Sequence, residues 1–410
     1  MADDGTIRID RLGARGDGIA ETSDGPRYVL GALPGEDYRD APGSAPVLCG
    51  PVSPERIAPN CPHFGTCGGC VAQHMAPELY ARWKLDILRQ AFAHRGIAVE
   101  PEPLRIVPAG TRRRAAFSIR RGEHGVALGF MAHDNVTLVD IAACPVLDPR
   151  IAAMLPRLKR LAGLALAGGK AARLTVTATA TGLDLVLDGV RAPPDASGRQ
   201  ALAGAAAAAK AARLVIAGEE IVTLAEPSLD VGGYAVPMPP GAFCQASEIA
   251  ERWMQEIAAA AVGKARQIGD LFAGLGTFTL PLARSARVLA VDSDQSLLDA
   301  LGRASRHARG LKPISTLRRD LFRDPLSAKE LARFDAVVID PPRAGAKAQM
   351  PPLAASGVAT IVAVSCNPAT LARDVHTLLD GGYQIERLVA IDQFLFAAHV
   401  EAICILTRRR

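Results

Sequence analysis

The chain from Lys264 onward alternates short apolar runs with longer stretches of helical periodicity. Such runs, bounded by polar or Gly-rich loops, are typical of parallel strands that helices cover on both faces. The strand candidates are Gln267 to Leu271, Val288 to Val291, Ala336 to Ile339 and Thr360 to Val364. Two later runs, Gln384 to Ala390 and Val400 to Leu406, lie close in the chain and predict an antiparallel pair. The pattern predicts an α/β fold that binds its ligands at the carboxyl ends of the strands.

The N-terminal region has short strand-like segments between Gly-rich turns, which predicts a small β-barrel over residues 1–48. Its segments are Thr6 to Asp10, Gly13 to Gly18, Tyr28 to Leu30 and Leu33 to Glu36. Residues 49–235 mix short strands with Ala-rich helical stretches and predict a central α+β domain. The clearest elements there are a helix around Pro77 to His94, strands at Ala115 to Ile119, Leu174 to Ala178 and Leu183 to Leu187, and the helix-forming run Ala201 to Ala212. Residues 236–410 would form the α/β domain.

A glycine-rich loop, Asp270-Leu-Phe-Ala-Gly274-Leu-Gly276, follows the first predicted parallel strand. Glycines there let the backbone turn tightly and approach a ligand closely. Asp292 ends the next strand, where a carboxylate can accept hydrogen bonds from ribose hydroxyls. Enzymes that bind nicotinamide or flavin cofactors also use a glycine-rich loop and a strand-end carboxylate in this way. The Asp-x3-Gly-x-Gly spacing and the C-terminal antiparallel pair instead resemble class I methyltransferases, which favours S-adenosylmethionine.

Two residues near the end of the chain have the chemistry of catalytic groups. Cys366 follows a strand and precedes Asn367-Pro368, so it is expected just before a helix, where thiolate is favoured over thiol. The alternative is a buried cysteine that only packs. Glu401 begins an otherwise apolar strand, where a carboxylate is costly unless it has a partner or a role. The alternative is that Glu401 lies on an edge strand and faces water, where a carboxylate keeps its hydration and needs no partner or role.

Three cysteines lie within ten residues in Cys61-x5-Cys67-Gly-Gly-Cys70. Structural zinc, an iron–sulfur cluster and chance are the three explanations, and spacing alone does not separate the two metals. A fourth ligand must come from elsewhere in the chain. Eight cysteines without signs of secretion are not expected to form disulfides, and Cys49, Cys244 and Cys404 are expected to be packing residues.

The formal net charge of +5 permits a polyanionic partner without requiring one. Arginines cluster at Arg112 to Arg114, Arg120 to Arg121 and Arg408 to Arg410, either for phosphate contact or as solvated faces. No run reaches the roughly 18 apolar residues of a membrane span, and the acidic N-terminus does not resemble a signal peptide. We therefore expect a cytoplasmic protein that does not bind membranes, and we expect it to be a monomer.

Together, these motifs resemble the bacterial 23S rRNA (uracil-5-)-methyltransferase family, whose members carry an iron–sulfur cluster. The matching motifs are Gly241-Ala-Phe-Cys-Gln245, Asp270 to Pro281, Asp340-Pro-Pro-Arg343, Ser365-Cys-Asn-Pro368 with Thr370-Leu-Ala-Arg-Asp374, and His399-Val-Glu401. The resemblance implies a Rossmann-like class I methyltransferase domain preceded by a TRAM-like RNA-binding barrel. It also implies methylation at C5 of a uridine, most specifically in 23S rRNA.

The resemblance implies a role for several individual residues. Cys366 would be the nucleophile and Glu401 the base that removes a proton. The implied contacts to S-adenosylmethionine are Gln245, Phe272, Thr277, Asp292, Asp320 and Asp340. The implied ligands of a 4Fe–4S cluster are Cys61, Cys67, Cys70 and Cys144.

Other functions compete with this interpretation. An amino-group methyltransferase also ends a strand in Asp-Pro-Pro, but an aromatic residue normally follows where Arg343 stands. Cytosine C5 enzymes use different cysteine motifs. A tRNA 5-methyluridine methyltransferase and a non-catalytic iron–sulfur RNA-binding protein are the remaining alternatives.

Overall fold

The computed structural model describes residues 5–40, 44–122, 125–166, 171–190 and 195–408. Of the arginines expected at the C-terminus, Arg409 and Arg410 therefore lie outside the described residues. Within the described ranges, no helix is long and apolar enough to cross a bilayer.

The N-terminal region forms two small antiparallel sheets around a common core. The strands are β1 (Thr6–Arg8), β2 (Arg11–Leu12), β3 (Gly18–Thr22), β4 (Gly25–Val29), β5 (Asp37–Arg39) and β6 (Val47–Leu48), in the orders β1-β5-β6 and β2-β3-β4. The core contains Ile9, Ala20, Val29, Ala32 and Tyr38. The predicted strand from Leu33 to Glu36 is a turn instead, because Gly35 has a φ of +84°.

The middle of the chain builds a seven-stranded sheet of order β10-β9-β8-β11-β12-β13-β14. Its strands are β8 (Arg114–Gly122), β9 (Gly125–Met131), β10 (Leu138–Asp140), β11 (Ala171–Ala178), β12 (Leu183–Asp188), β13 (Ala211–Ile216) and β14 (Glu219–Thr223). The helices are α2 (Pro149–Ala152), α3 (Leu155–Ala165) and α4 (Ala196–Ala208). The Ala-rich helix ends before Lys210, which has a φ of +54°, and the last alanines of the run join β13. A hairpin of β15 (Ser228–Val231) and β16 (Tyr234–Pro237) follows.

The C-terminal sheet has eight strands in the order β19-β18-β17-β20-β21-β23-β22-β7. They are β7 (Arg105–Ile106), β17 (Gln267–Leu271), β18 (Arg287–Asp292), β19 (Ile314–Arg318), β20 (Ala336–Ile339), β21 (Thr360–Ser365), β22 (Gln384–Asp392) and β23 (Glu401–Thr407). The flanking helices are α1 (Pro77–Ala93), α5 (Glu248–Val262), α6 (Thr279–Leu282), α7 (Gln295–His307), α8 (Ala328–Leu331), α9 (Met350–Ala355) and α10 (Pro368–Asp380). The four predicted parallel strands and the predicted antiparallel pair β22–β23 are confirmed.

Helix α1 and strand β7 pack on the C-terminal sheet, although the sequence grouped them with the central domain. β7 pairs with β22, and Leu88 and Phe92 of α1 lie in the same core as Leu388 and Val400. The reason is the amphipathic pattern of α1, whose apolar side faces that core. The domain limits at residues 48 and 235 remain predictions.

A buried ion pair fastens α1 to the end of β22. Lys84 Nζ lies 2.8 Å from Asp392 Oδ1, and both side chains are fully buried. The Lys84 ammonium also donates to the carbonyl of His399 at 2.5 Å, and the Tyr80 hydroxyl donates to Asp392. Burial lowers the pKa of Lys84, while the charge of Asp392 opposes that change. These contacts fix the segment between β22 and β23.

We expect Lys84→Met to lower the free energy of unfolding by about 3–5 kcal/mol, because Asp392 would be left charged and unpaired in the core. Urea denaturation followed by circular dichroism would measure the change. Arg82→Met is the matched control on the same helix, since the Arg82–Glu55 pair is largely exposed and should contribute no more than about 1 kcal/mol. Equal losses in the two variants would contradict a special role for the buried pair.

Candidate active site

The loop after β17 passes through left-handed backbone conformations, which favour glycine. Gly274 and Gly276 have φ values of +54° and +87°, and Phe272 also lies in the left-handed region at +61°. A Cβ on Gly276 would come within 2.5 Å of Leu301, whereas one on Gly274 would meet open space. Gly276 therefore permits close packing on α7, and Gly274 leaves room for a ligand.

Three of the predicted cofactor residues gather at the ends of β17, β18 and β19. Asp292 Oδ2 accepts the Gly274 N–H at 2.9 Å, which ties the glycine-rich loop to the next strand. Asp320 Oδ1 accepts the Phe322 N–H at 3.0 Å, and the rings of Phe322 and Phe272 lie 5.3 Å apart. Sequence reasoning missed Phe322, although an aromatic two residues after the strand-end Asp320 was a usable signal.

Asp270 and Thr277 lie on either side of this loop. Asp270 is fully buried, accepts the Thr279 hydroxyl at 2.5 Å, and its Oδ1 has no hydrogen-bond partner in the described residues. Burial raises the pKa of Asp270 to about 7. The carbonyl of Thr277 accepts a hydrogen bond from Gln255 Nε2 at 3.0 Å.

Strand pairing brings Cys366 and Glu401 to the same edge of the sheet. Ser365, the last residue of β21, pairs with Ala402 of the antiparallel strand β23. Cys366 follows Ser365 and Glu401 precedes Ala402, so the two residues come at the same end of the paired strands. Asn367 caps α10 by accepting the Ala369 N–H at 3.1 Å. The expected position of Cys366, after a strand and before a helix, is confirmed.

The expected low pKa of Cys366 is wrong for this structure. Burial and the nearby charge of Glu401 raise the pKa of the Cys366 thiol. Arg343 acts in the opposite direction, through its charge and a hydrogen bond to the thiol. Arg343 Nη2 also lies 2.8 Å from the His399 ring nitrogens. Partial burial and the charge of Arg343 lower the pKa of His399 to about 4, so the imidazole is neutral near pH 7.

Glu401 ends a chain of side-chain hydrogen bonds that reaches Asp340. Gln393 Nε2 donates to Glu401 Oε2 at 2.6 Å and to Gln245 Oε1 at 2.9 Å. Gln245 Nε2 then donates to Asp340 Oδ2 at 3.1 Å. Gln245 thus lies beside Asp340, just after the carboxyl end of β20. Gln393 was missed, because a glutamine in a connecting segment carries no motif.

The two carboxyl groups at the ends of this row of hydrogen bonds, Glu401 and Asp340, both have pKa values raised to near neutral pH. Burial and the charge of Asp340 raise the pKa of Glu401 to about 8, while Gln393 and Arg343 lower it. Burial and the charge of Glu251 raise the pKa of Asp340 to about 7, against the hydrogen bond from Gln245. A carboxyl group with such a pKa can exchange protons efficiently at physiological pH.

The arginine clusters are divided between buried and surface positions. Arg113 is buried, pairs with Glu251 and donates to the backbone carbonyl of Gln245 at 3.0 Å. It is therefore unavailable for the phosphate contact that the sequence suggested. Arg120 and Arg121 at the end of β8 are exposed.

The cysteine-rich loop lies against the β9–β10 hairpin. The backbone of Cys67 forms an isolated antiparallel β-bridge with that of Ala132, and the Gly68 N–H donates to the Met131 carbonyl at 2.9 Å. His63 Nε2 accepts the Ala142 N–H at 3.0 Å, which holds the loop beside the segment that carries Cys144.

All eight cysteines are free thiols, and four of them influence one another. Burial and the charges on Cys144, Cys67 and Cys61 together raise the pKa of Cys70 to about 12. In the part of the chain that the structure describes, however, no three His, Cys, Asp or Glu side chains are arranged as a metal-binding group. The iron–sulfur prediction is thus unsupported by the geometry. Cys244 and Cys404 are buried as expected, whereas Cys49 is exposed.

Sequence comparison places these motifs in a known context. A profile of the tRNA (uracil-5-)-methyltransferase family matches residues 316–409. An uncharacterized RNA methyltransferase of Brucella suis is 46% identical over 409 residues, covering 99% of this chain and 98% of the relative. The 23S rRNA (uracil(1939)-C(5))-methyltransferase RlmD of Alkalilimnicola ehrlichii is 36% identical over 436 residues, covering 98% and 96% of the two chains. The chain belongs to the RNA uracil-C5 methyltransferase family.

Family membership confirms the prediction of an S-adenosylmethionine-dependent enzyme with an RNA substrate. The crystal structure of Pyrococcus abyssi tRNA (uracil-54, C5)-methyltransferase in complex with S-adenosyl-L-homocysteine matches with a TM-score of 0.76. The match covers 99% of this chain and 100% of that one at 21% identity, which confirms the methyltransferase fold.

Proposed function

We propose that this methyltransferase modifies a uridine of 23S rRNA through a covalent adduct between Cys366 and C6 of the uracil. The observation that carries the proposal is the placement of Cys366 and Glu401 on adjacent strands, with Arg343 beside the thiol. A nucleophile and a base that face one site are what addition followed by elimination requires.

The residues divide the reaction between them. The Cys366 thiolate, stabilised by Arg343, forms a bond to C6, and the C5=C6 electron pair moves toward O4 to give an enolate that is nucleophilic at C5. S-Adenosylmethionine supplies an electrophilic methyl group on a sulfonium when it is bound. After C5 is methylated, Glu401 takes the C5 proton, the C–H electron pair re-forms C5=C6, and the C6–S bond breaks to release the thiolate.

The residues around the glycine-rich loop fit the cofactor. Gly274 borders open space, and the carboxylate of Asp292 is directed at the same loop. We assign the ribose hydroxyls to Asp292, the adenine to the region of Phe272 and Asp320, and the methionine end to the side of Thr277, Gln245 and Asp340. The partly exposed rings of Phe272 and Phe322 offer an apolar surface for the base.

Four mutually interacting thiols also fit a 4Fe–4S cluster in their chemistry. Cys61, Cys67, Cys70 and Cys144 come from two segments that backbone contacts hold together, and none forms a disulfide. Thiolates are the usual ligands of such clusters. We therefore propose these four cysteines as the ligands, with no part in the chemistry at uracil.

The relative RlmD favours 23S rRNA as the substrate, and the profile named for tRNA methyltransferases makes tRNA the second candidate. The N-terminal sheets and the exposed Arg120 and Arg121 would contact the RNA backbone. The target uridine must leave its base stack for Cys366 to reach C6. Cytoplasmic location and a monomeric state remain predictions.

We expect Glu401→Gln to accumulate a methylated protein–RNA adduct that survives denaturation, because the amide cannot take the C5 proton and the thiolate cannot leave. Gel electrophoresis with labelled 23S rRNA transcript and labelled methyl donor would show both labels in one shifted band. The double variant with Cys366→Ala is the control and should form no adduct. Normal turnover by Glu401→Gln, or an adduct that persists without Cys366, would contradict these assignments. A tRNA transcript in parallel tests the second candidate.

We expect kcat on uridine-containing RNA to fall as the pH drops below about 8, because the active form of Glu401 is the carboxylate and its pKa is raised to about 8. RNA containing 5-fluorouridine is the control substrate, since it has no C5 proton for Glu401 to remove. Adduct formation on that RNA should follow the ionisation of Cys366 alone. An acidic limb near the ordinary pKa of a glutamate would contradict the raised pKa of Glu401.

We expect anaerobically purified protein to contain about four irons and four sulfides per chain. Cys70→Ser should lose them, while Cys49→Ser should keep them, because Cys49 is exposed and does not belong to the set of four. Elemental and sulfide analysis would measure both. Stoichiometric zinc without sulfide would overturn the cluster assignment and leave the methyltransferase proposal intact.

A further inference from the structure

We propose that Gln393 is a positioning residue for the reaction, which orients the carboxylate of Glu401 and fixes the amide of Gln245 toward Asp340. The proposal rests on the addition and elimination mechanism described above. Gln393 is buried at the start of the segment between β22 and β23 and meets both groups within hydrogen-bonding distance.

A backbone group dictates how the Gln393 amide points. Gln393 Oε1 accepts the N–H of Ala246 at 3.1 Å, and a backbone N–H can only donate. The carboxamide oxygen must therefore face Ala246, which leaves the NH2 group to face Glu401. The two N–H bonds of that group match its two acceptors, Glu401 Oε2 and Gln245 Oε1.

The orientation of the Gln393 amide also determines the orientation of the Gln245 amide. Since Gln245 Oε1 receives a hydrogen bond from Gln393, its own NH2 group points to Asp340 Oδ2. Arg113 holds the backbone carbonyl of Gln245 at 3.0 Å, so the residue is fixed at both ends. One amide thus sets the direction of donation along the whole chain from Glu401 to Asp340.

The consequence for Glu401 is that its two oxygens are no longer equivalent. The hydrogen bond from Gln393 stabilises negative charge on Oε2, which makes Oε1 the oxygen that accepts the C5 proton. The charged or titratable groups that face this carboxyl are Asp340 after β20, Arg343 in the following turn and Cys366 after β21. Gln393 is the neutral donor among them.

The position of Gln393 is fixed by the residue before it. Asp392 is held by Lys84 Nζ at 2.8 Å and by the Tyr80 hydroxyl, so the chain enters the active site at a defined point. Removing the Gln393 amide should therefore leave the backbone in place while Glu401 loses its donor. The pKa of Glu401 should then rise further, because the hydrogen bond from Gln393 lowers it.

The test compares Gln393→Met with Gln349→Met, which serves as the matched control. Gln349 is also fully buried, and its amide bonds to the backbone of Leu326 at 2.8 and 2.9 Å, in the same domain but outside the active site. Methionine keeps the length of glutamine and removes its amide. The measurements are thermal stability, turnover on 23S rRNA transcript against pH, the amount of methylated adduct at steady state, and adduct formation on the 5-fluorouridine transcript.

We expect Gln393→Met to lower turnover roughly tenfold to a hundredfold, as loss of a hydrogen bond to a charged group would. Its acidic limb should move to higher pH and methylated adduct should accumulate, while adduct formation on 5-fluorouridine RNA stays close to wild type. Gln349→Met should lose stability with no change in the pH profile or in adduct.

Three outcomes would overturn the proposal. Wild-type turnover by Gln393→Met with an unmoved acidic limb would do so, because the amide would have no role. An equal loss of adduct formation on both RNAs would do so too, because the defect would then be general misalignment. A wild-type enzyme that formed no Cys366-dependent adduct would overturn the covalent mechanism together with this inference, which distinguishes the two failures.

Discussion

Burial of carboxyl groups at one edge of the sheet is the constraint around which this active site is organised. Asp270 and Glu401 lie in the core, and Asp340 lies half-buried between them. Charged carboxylates there would lose most of their hydration. The surrounding donors are amides and a hydroxyl, from Gln245, Gln393 and Thr279, and these compensate only in part. The pKa values of all three carboxyl groups are accordingly raised to about 7 or 8.

The N-terminal part of the chain supports this edge from the outside. The backbone N–H groups of Val71 and Ala72, directly after the cysteine-rich loop, donate to the Phe396 carbonyl at 2.8 and 3.2 Å. Lys84 of α1 holds Asp392 and the carbonyl of His399. The segment that carries Gln393 is therefore fastened at both ends by residues distant in sequence. The residues directly after the cysteine-rich loop thus contact the same segment that carries Gln393.

Sequence alone located the strands of the C-terminal sheet well, because their apolar runs are continuous and each ends in a polar loop. Asp340 and Cys366 were placed correctly for that reason. The burial of individual polar residues could not be predicted as well from the sequence, because it depends on contacts between residues that are distant in the chain. Arg113 lies in a cluster of arginines in the sequence, yet it is buried in the core, where its side chain forms an ion pair with Glu251. The ionisation of Cys366 was misjudged because the fold buries the thiol and places Glu401 near it, and both raise its pKa.

A raised thiol pKa opposes the role of Cys366 as the proposed nucleophile, and the pairing of Arg343 with His399 counteracts this effect. With its pKa lowered to about 4, His399 is neutral near pH 7 and takes a hydrogen bond from Arg343 without cancelling the guanidinium charge. The Arg343 carbonyl is held by Asn367 Nδ2 at 3.1 Å, which links the arginine to the cap of α10. The positive charge is thus kept beside Cys366, where it stabilises the thiolate most when the site excludes water. In the proposed mechanism a bound uridine would exclude that water, so that formation of the thiolate would follow the arrival of the substrate.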